Sequence, residues 1–149
     1  RLTAAGFNMI DWTKWCLTSK RADGYNNNHR LVTRQSYRIA LMPTKEIECD
    51  SERTTENLRH HGITRYGYGK PPGGIMPRII EAISTYERME EIGFWYIATP
   101  HDPIKNYDDN PLVLFALRYK GKLSLLMNFD LPQVQWDVVG AFAFLIPTS

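Results

Sequence analysis

Cysteine is scarce in this chain. Its two cysteines, Cys16 and Cys49, share no C-x-x-C spacing, so they suggest neither a disulfide framework nor a paired-cysteine metal site. A reducing compartment, the cytoplasm, is the expectation. Long apolar runs are missing too. None approaches the roughly 18 residues that a membrane span needs, and no signal-peptide pattern opens the chain. No internal repeat or low-complexity tract is present, and a 43% hydrophobic content argues against disorder. Specific cofactor and catalytic motifs are also lacking. The glycine-rich stretch from Arg65 to Gly74 matches neither G-x-x-x-x-G-K-[ST] nor G-x-G-x-x-G, so a nucleotide cradle is not indicated. No cofactor and no metal are expected.

What remains is a chain of 149 residues, a length that suits one domain with a real core. The net charge of +2 conceals an asymmetry: residues 1–80 carry 13 Lys/Arg against 7 Asp/Glu, and residues 81–149 carry 5 against 9. A basic front half (+6) and an acidic back half (−4) point to an anionic partner or to head-to-tail self-association.

The clearest periodicity begins after Gly73-Gly74. Met76, Ile79, Ile80, Ala82, Ile83, Tyr86 and Met89 fall on one arc at 100° per residue, which predicts a single helix over 77–92 with Pro77 in its first turn and Gly93 as its stop. Strands follow. Residues 94–98 are aromatic and continuous, Leu112–Leu117 is apolar throughout, and Leu123–Phe129 mostly alternates. With Gly121 turning the chain between them, the last two read as an antiparallel hairpin. The tail from Pro132 reads as a strand kinked at Gly140, or as a helix over 133–139 before a short strand.

Residues 8–22 read as a helix ended by turn chemistry at Asp23-Gly24. Residues 30–42 fit a helix or a strand. In either case Arg30, Arg34 and Arg38, spaced by four, project from one face, and their planar guanidiniums suit phosphate. A short helix capped by Asp50 or Ser51 and closed by Gly62 is expected next. His60 and His61 near its end suit the helix dipole and lack H-E-x-x-H spacing. The loop that follows interleaves Arg65, Tyr66, Tyr68 and Lys70 with glycines, a chemistry that stacks bases and approaches phosphates. His101 leaves the end of an apolar strand with Asp102 and Asp108 nearby, a set suited to general-base work or a divalent ion.

The expected architecture is α+β in one domain. A basic, helix-rich portion over about residues 1–74 precedes a helix packed on an antiparallel sheet of three to five strands, over about 75–149. Three functions compete. The first is a non-catalytic binding protein meeting nucleic acid or an acidic protein surface through Arg30, Arg34, Arg38, Arg65, Tyr66, Tyr68 and Lys70, largely without sequence preference. The second is a small metal-dependent phosphoesterase or nuclease using His101, Asp102 and Asp108. The third is a structural subunit or homo-oligomer whose strands 94–98 and 141–146 form an interface. No membrane partner is expected.

Overall fold

The computed structural model describes residues 8–9, 37–106 and 108–147. Two residues, Asn8–Met9, form β1, and Ile39–Pro43 form β2. Two 3-10 turns, Thr44–Glu46 and Asp50–Glu52, lead to α1 (Thr55–Tyr66), α2 (Ile75–Ile83) and α3 (Tyr86–Ile92). The remaining strands are β3 (Tyr96–Ala98), β4 (Ile104–Lys105), β5 (Pro111–Tyr119), β6 (Lys122–Phe129) and β7 (Gly140–Leu145). The sheet runs β1-β6-β5-β3-β7-β2, with β4 added on β5.

The α+β class holds, but the sheet is mixed and wider than expected. β5 and β6 pair antiparallel from Leu112↔Phe129 to Tyr119↔Lys122, as the hairpin pattern predicts. Lys120 and Gly121 both take positive φ (51° and 76°), the two-residue turn whose twist matches the flanking strands. β7, however, lies parallel to β3 on its other side. After β6 the chain crosses back over one face of the sheet through residues 130–139, so β7 enters in the same direction as β3. That segment is neither helix nor strand, which corrects both readings of residues 132–139, while the strand expected after them forms as β7. The strand begins at Gly140, a position that requires glycine because a Cβ there would sit 2.3 Å from the Tyr96 ring.

Both sheet faces are covered. Met76, Ile80, Ile83 and Met89 of α2 and α3 pack on Ile97, Leu112, Leu114, Ala116, Leu123, Leu125 and Ala143. On the opposite face Leu58 of α1 and Trp136 pack on Met42, Tyr96, Ala98, Val113, Phe142 and Phe144. The strands suspected of forming an interface, 94–98 and 141–146, are thus largely interior: Tyr96–Ala98 and Ala141–Phe144 are buried by their own chain.

Three helix expectations need correcting. The arc over 77–92 is broken at Ser84, whose φ is 63°. Thr85 then caps α3 by accepting the Arg88 N–H at 3.1 Å. Its hydroxyl offers the backbone an alternative to the helical ladder, and the apolar arc carries on across the break with Ala82 left exposed. In α1 the cap is Thr54, which accepts the Asn57 N–H at 3.2 Å, and the stop is Gly67 at φ 70°. Gly62 lies inside the helix because the Phe144 ring packs against its bare face, 2.3 Å from where a Cβ would be. The first helix, over 8–22, falls outside the described residues apart from residues 8–9, which pair with β6 as a strand. Of residues 30–42, those described from Ile39 onward are strand. Among the described residues no helix is long and apolar enough to cross a membrane.

Candidate nucleic-acid interface

Gly67 turns the chain out of α1 with a left-handed backbone, and Gly69 then pairs with the end of β7. The Gly69 N–H donates to the Leu145 carbonyl at 2.8 Å, and the Leu145 N–H donates back at 3.0 Å. This pins the loop after α1 to the sheet. Tyr68 is laid on Phe144, centroids 5.4 Å apart, and stacks on Tyr66 at 5.1 Å and 26°. Tyr66 stays 43% exposed, and the Arg65 guanidinium stands 5.9 Å from its ring centroid.

On the other side of Leu145 lies Ile39, and the Arg38 carbonyl accepts the Ile146 N–H at 2.8 Å. Gly69 and Ile39 therefore flank one residue of β7, about 10 Å apart at ordinary strand spacing. Two features distant in the sequence, the arginine-bearing segment and the basic–aromatic loop, meet at one end of the sheet. Arg38, Arg65 and Lys70 are exposed there. Lys70 is held by Asp102, Nζ to Oδ1 at 2.7 Å. Arg30 and Arg34 lie outside the described residues.

A carboxylate completes the cluster. The Tyr66 hydroxyl donates to Glu46 Oε1, and His61 Nε2 lies 3.1 Å from the same oxygen. The bond to Glu46 is the main reason that the Tyr66 pKa is raised, with desolvation second. Glu46 belongs to a 3-10 turn 20 residues before Tyr66, a separation at which no helical or strand periodicity could have revealed it.

The His101 set is arranged differently. His101 is fully buried. Its Nε2 accepts the Leu114 N–H at 2.9 Å, which leaves the proton on Nδ1 to donate to the Asp102 carbonyl at 2.7 Å. Both ring nitrogens thus serve the main chain. The Asp102 carboxylate is turned to Lys70, and Asp108 is exposed, its N–H bonded to Asn106 Oδ1. Among the described residues no three His, Cys, Asp or Glu side chains are grouped to hold a metal ion.

Buried arginines are what the sequence reading missed. Arg59 donates to the carbonyls of Pro100 and His101 at 2.8 Å each and pairs with Asp130 at 2.8 Å and Glu56 at 2.6 Å. Arg118 donates to the Phe94 carbonyl at 2.8 Å and lies 3.7 Å from the Trp95 ring centroid. Arg118 follows Leu112, Leu114 and Ala116 on the buried face of β5, and Arg59 adjoins the buried Leu58 of α1, so it is their charge that makes them read as surface. Comparison with family models, with curated proteins and with solved structures finds no significant match for this chain.

Proposed function

We propose that the protein is a non-catalytic binding protein that takes a single strand of nucleic acid across the end of β7. Tyr66 would be the stacking platform, with Tyr68 beneath it, and Arg38, Arg65 and Lys70 would meet phosphates. The observation that carries this reading is the position of Leu145 between Ile39 and Gly69, which unites the two basic segments around an exposed aromatic ring. Base stacking tolerates any sequence because every base has a π-face, and guanidinium contacts follow the backbone. Arg30 and Arg34 join the proposal through their spacing alone. The exposed thiol of Cys49 suits a reducing compartment, which favours the cytoplasm as the site of action.

The test is fluorescence anisotropy with a labelled single strand of about twelve nucleotides, within the usual site size, and with the matching duplex. Wild type should bind the single strand more tightly. Tyr66→Ala should cost roughly 1–3 kcal/mol. An acidic protein surface would engage the same cations without needing the ring. Failure of wild type to bind either strand form at low salt would overturn the reading.

A further inference from the structure

We infer that the surface selects cytosine over thymine or uracil in a single strand, with Glu46 as the acceptor that reads the base edge; this rests on the nucleic-acid reading above. Glu46 lies at the hydroxyl end of Tyr66, its side chain 27% exposed. Oε1 is engaged by the Tyr66 hydroxyl and by His61 Nε2. Among the described residues, Oε2 accepts no hydrogen bond. The carboxylate is thus fixed by two neighbours and keeps one oxygen for a further donor.

A base stacked on Tyr66 can turn its Watson–Crick edge to that end of the ring. Cytosine then offers its N4 amino group to Oε2, a charge-assisted hydrogen bond of the strong kind. Thymine and uracil carry a carbonyl at the same position, so an acceptor faces an acceptor and the carboxylate repels it. The two kinds of pyrimidine have similar stacking area and differ on that edge at C4, amino against carbonyl, and at N3, bare nitrogen against N–H; the stacking position that sets the C4 group at Oε2 favours cytosine. The Arg65 guanidinium, 5.9 Å from the ring centroid and exposed, is placed to meet the phosphate of the stacked nucleotide.

The experiment measures the affinity of oligo-dC and oligo-dT of equal length at pH 8 for wild type, Glu46→Gln and Tyr66→Phe. Wild type should prefer oligo-dC by roughly tenfold, the lower part of the range for one well-placed base-edge contact. Glu46→Gln presents both an amide donor and an acceptor, so it should bring the ratio near one by improving oligo-dT. Tyr66→Phe keeps the platform but releases Glu46. It should narrow the ratio of oligo-dC to oligo-dT affinity, and this variant carries the test if Glu46→Gln fails to fold. Equal wild-type affinity for both oligonucleotides would overturn the selectivity and leave single-strand binding standing. A cytosine preference that survives both substitutions would remove Glu46 from the role. Absence of binding to either strand would overturn the parent reading and this inference with it.

Discussion

Arg53 and Trp136, 83 residues apart, hold each other's main chain. Arg53 Nε donates to the Trp136 carbonyl at 2.8 Å, and the Trp136 N–H donates to the Arg53 carbonyl at 2.8 Å. This double tie fastens the crossing segment 130–139 to the approach to α1. The Trp136 ring fills the space among Tyr96, Phe115 and Phe142, and its Nε1 donates to Thr55 Oγ1 at 2.9 Å. Arg53 also donates to the carbonyls of Ile47 and Glu48 at 2.8 and 3.1 Å.

Arg53→Leu should therefore destabilise through the acceptors it abandons, at about 1–3 kcal/mol for each one left unsatisfied in the interior. Trp136→Ala should cost about 3–5 kcal/mol as a large core truncation. Trp136→Ala keeps the main-chain groups that Arg53 bonds, so the two couple through the placement of segment 130–139, and the double mutant should depart from additivity by about 0.5–3 kcal/mol. Urea unfolding of both singles and the double mutant checks this. Additivity within experimental error would mean that the two residues act independently.

Gly62→Ala sets helix propensity against packing. Alanine gains about 1 kcal/mol over glycine inside a helix. Here the added methyl would lie 2.3 Å from Phe144 Cζ, and Phe144 is fully buried, so its ring cannot swing away. Overpacking costs about 1–3 kcal/mol, and the net change should be destabilising. Adding Phe144→Leu should recover part of the loss. A higher melting temperature for Gly62→Ala alone would disprove this contact.

The sequence made the helix arc over 76–89, the β5–β6 hairpin and the glycine stop at Gly93 legible, because each follows from local periodicity or turn chemistry. Strand direction was not legible. The pairing of β3 with β7 depends on where residues 130–139 cross the sheet, and nothing in the spacing of Trp136 announces that. The site divides the same way. Tyr66, Tyr68 and Lys70 stood out through composition, whereas Glu46 enters only through tertiary contact. His101 looked chemical because it ends a strand beside carboxylates. Its ring instead ties two main-chain segments together, a role that needs the same residue type.

Tyr96 should make stability fall at alkaline pH. Burial pushes its phenol up to about 12, from the ordinary tyrosine value of 10.0. The hydroxyl donates to the Asp137 carbonyl at 2.5 Å and lies 2.9 Å from Thr44 Oγ1. Above pH 10 the unfolded chain releases this proton while the folded chain retains it. The stabilisation is complete below pH 10 and is lost as pH rises towards about 12, on the order of 2 kcal/mol in all. Stability curves at closely spaced pH should show this limb in wild type. Tyr96→Phe should flatten it while lowering stability near neutrality, and an unchanged alkaline limb in that variant would assign the effect elsewhere.

Lys70 and Asp102 give the sharpest separation between binding and catalysis. The ammonium is held by the carboxylate at 2.7 Å, and both side chains are largely exposed, at 43% and 67%. An exposed pair contributes little to stability, so Asp102→Asn should leave the melting temperature almost unchanged. It also removes the negative charge beside Lys70 and frees Lys70 for phosphate. Nucleic-acid affinity should therefore rise. The slope of log affinity against log salt should steepen by about 0.7 for the one added single-strand contact. In the Asp102→Asn background, where Lys70 is released, replacing Arg38, Arg65 and Lys70 together by Gln should flatten the slope by up to about 2 units on the same basis. If Asp102 instead served a metal-dependent cleavage with His101, Asp102→Asn would abolish that activity and would not tighten binding. Anisotropy titrations across a salt series, run beside a cleavage assay with magnesium, manganese and zinc, distinguish the two outcomes. Tighter and more salt-sensitive binding supports the interface, and lost cleavage supports the enzyme.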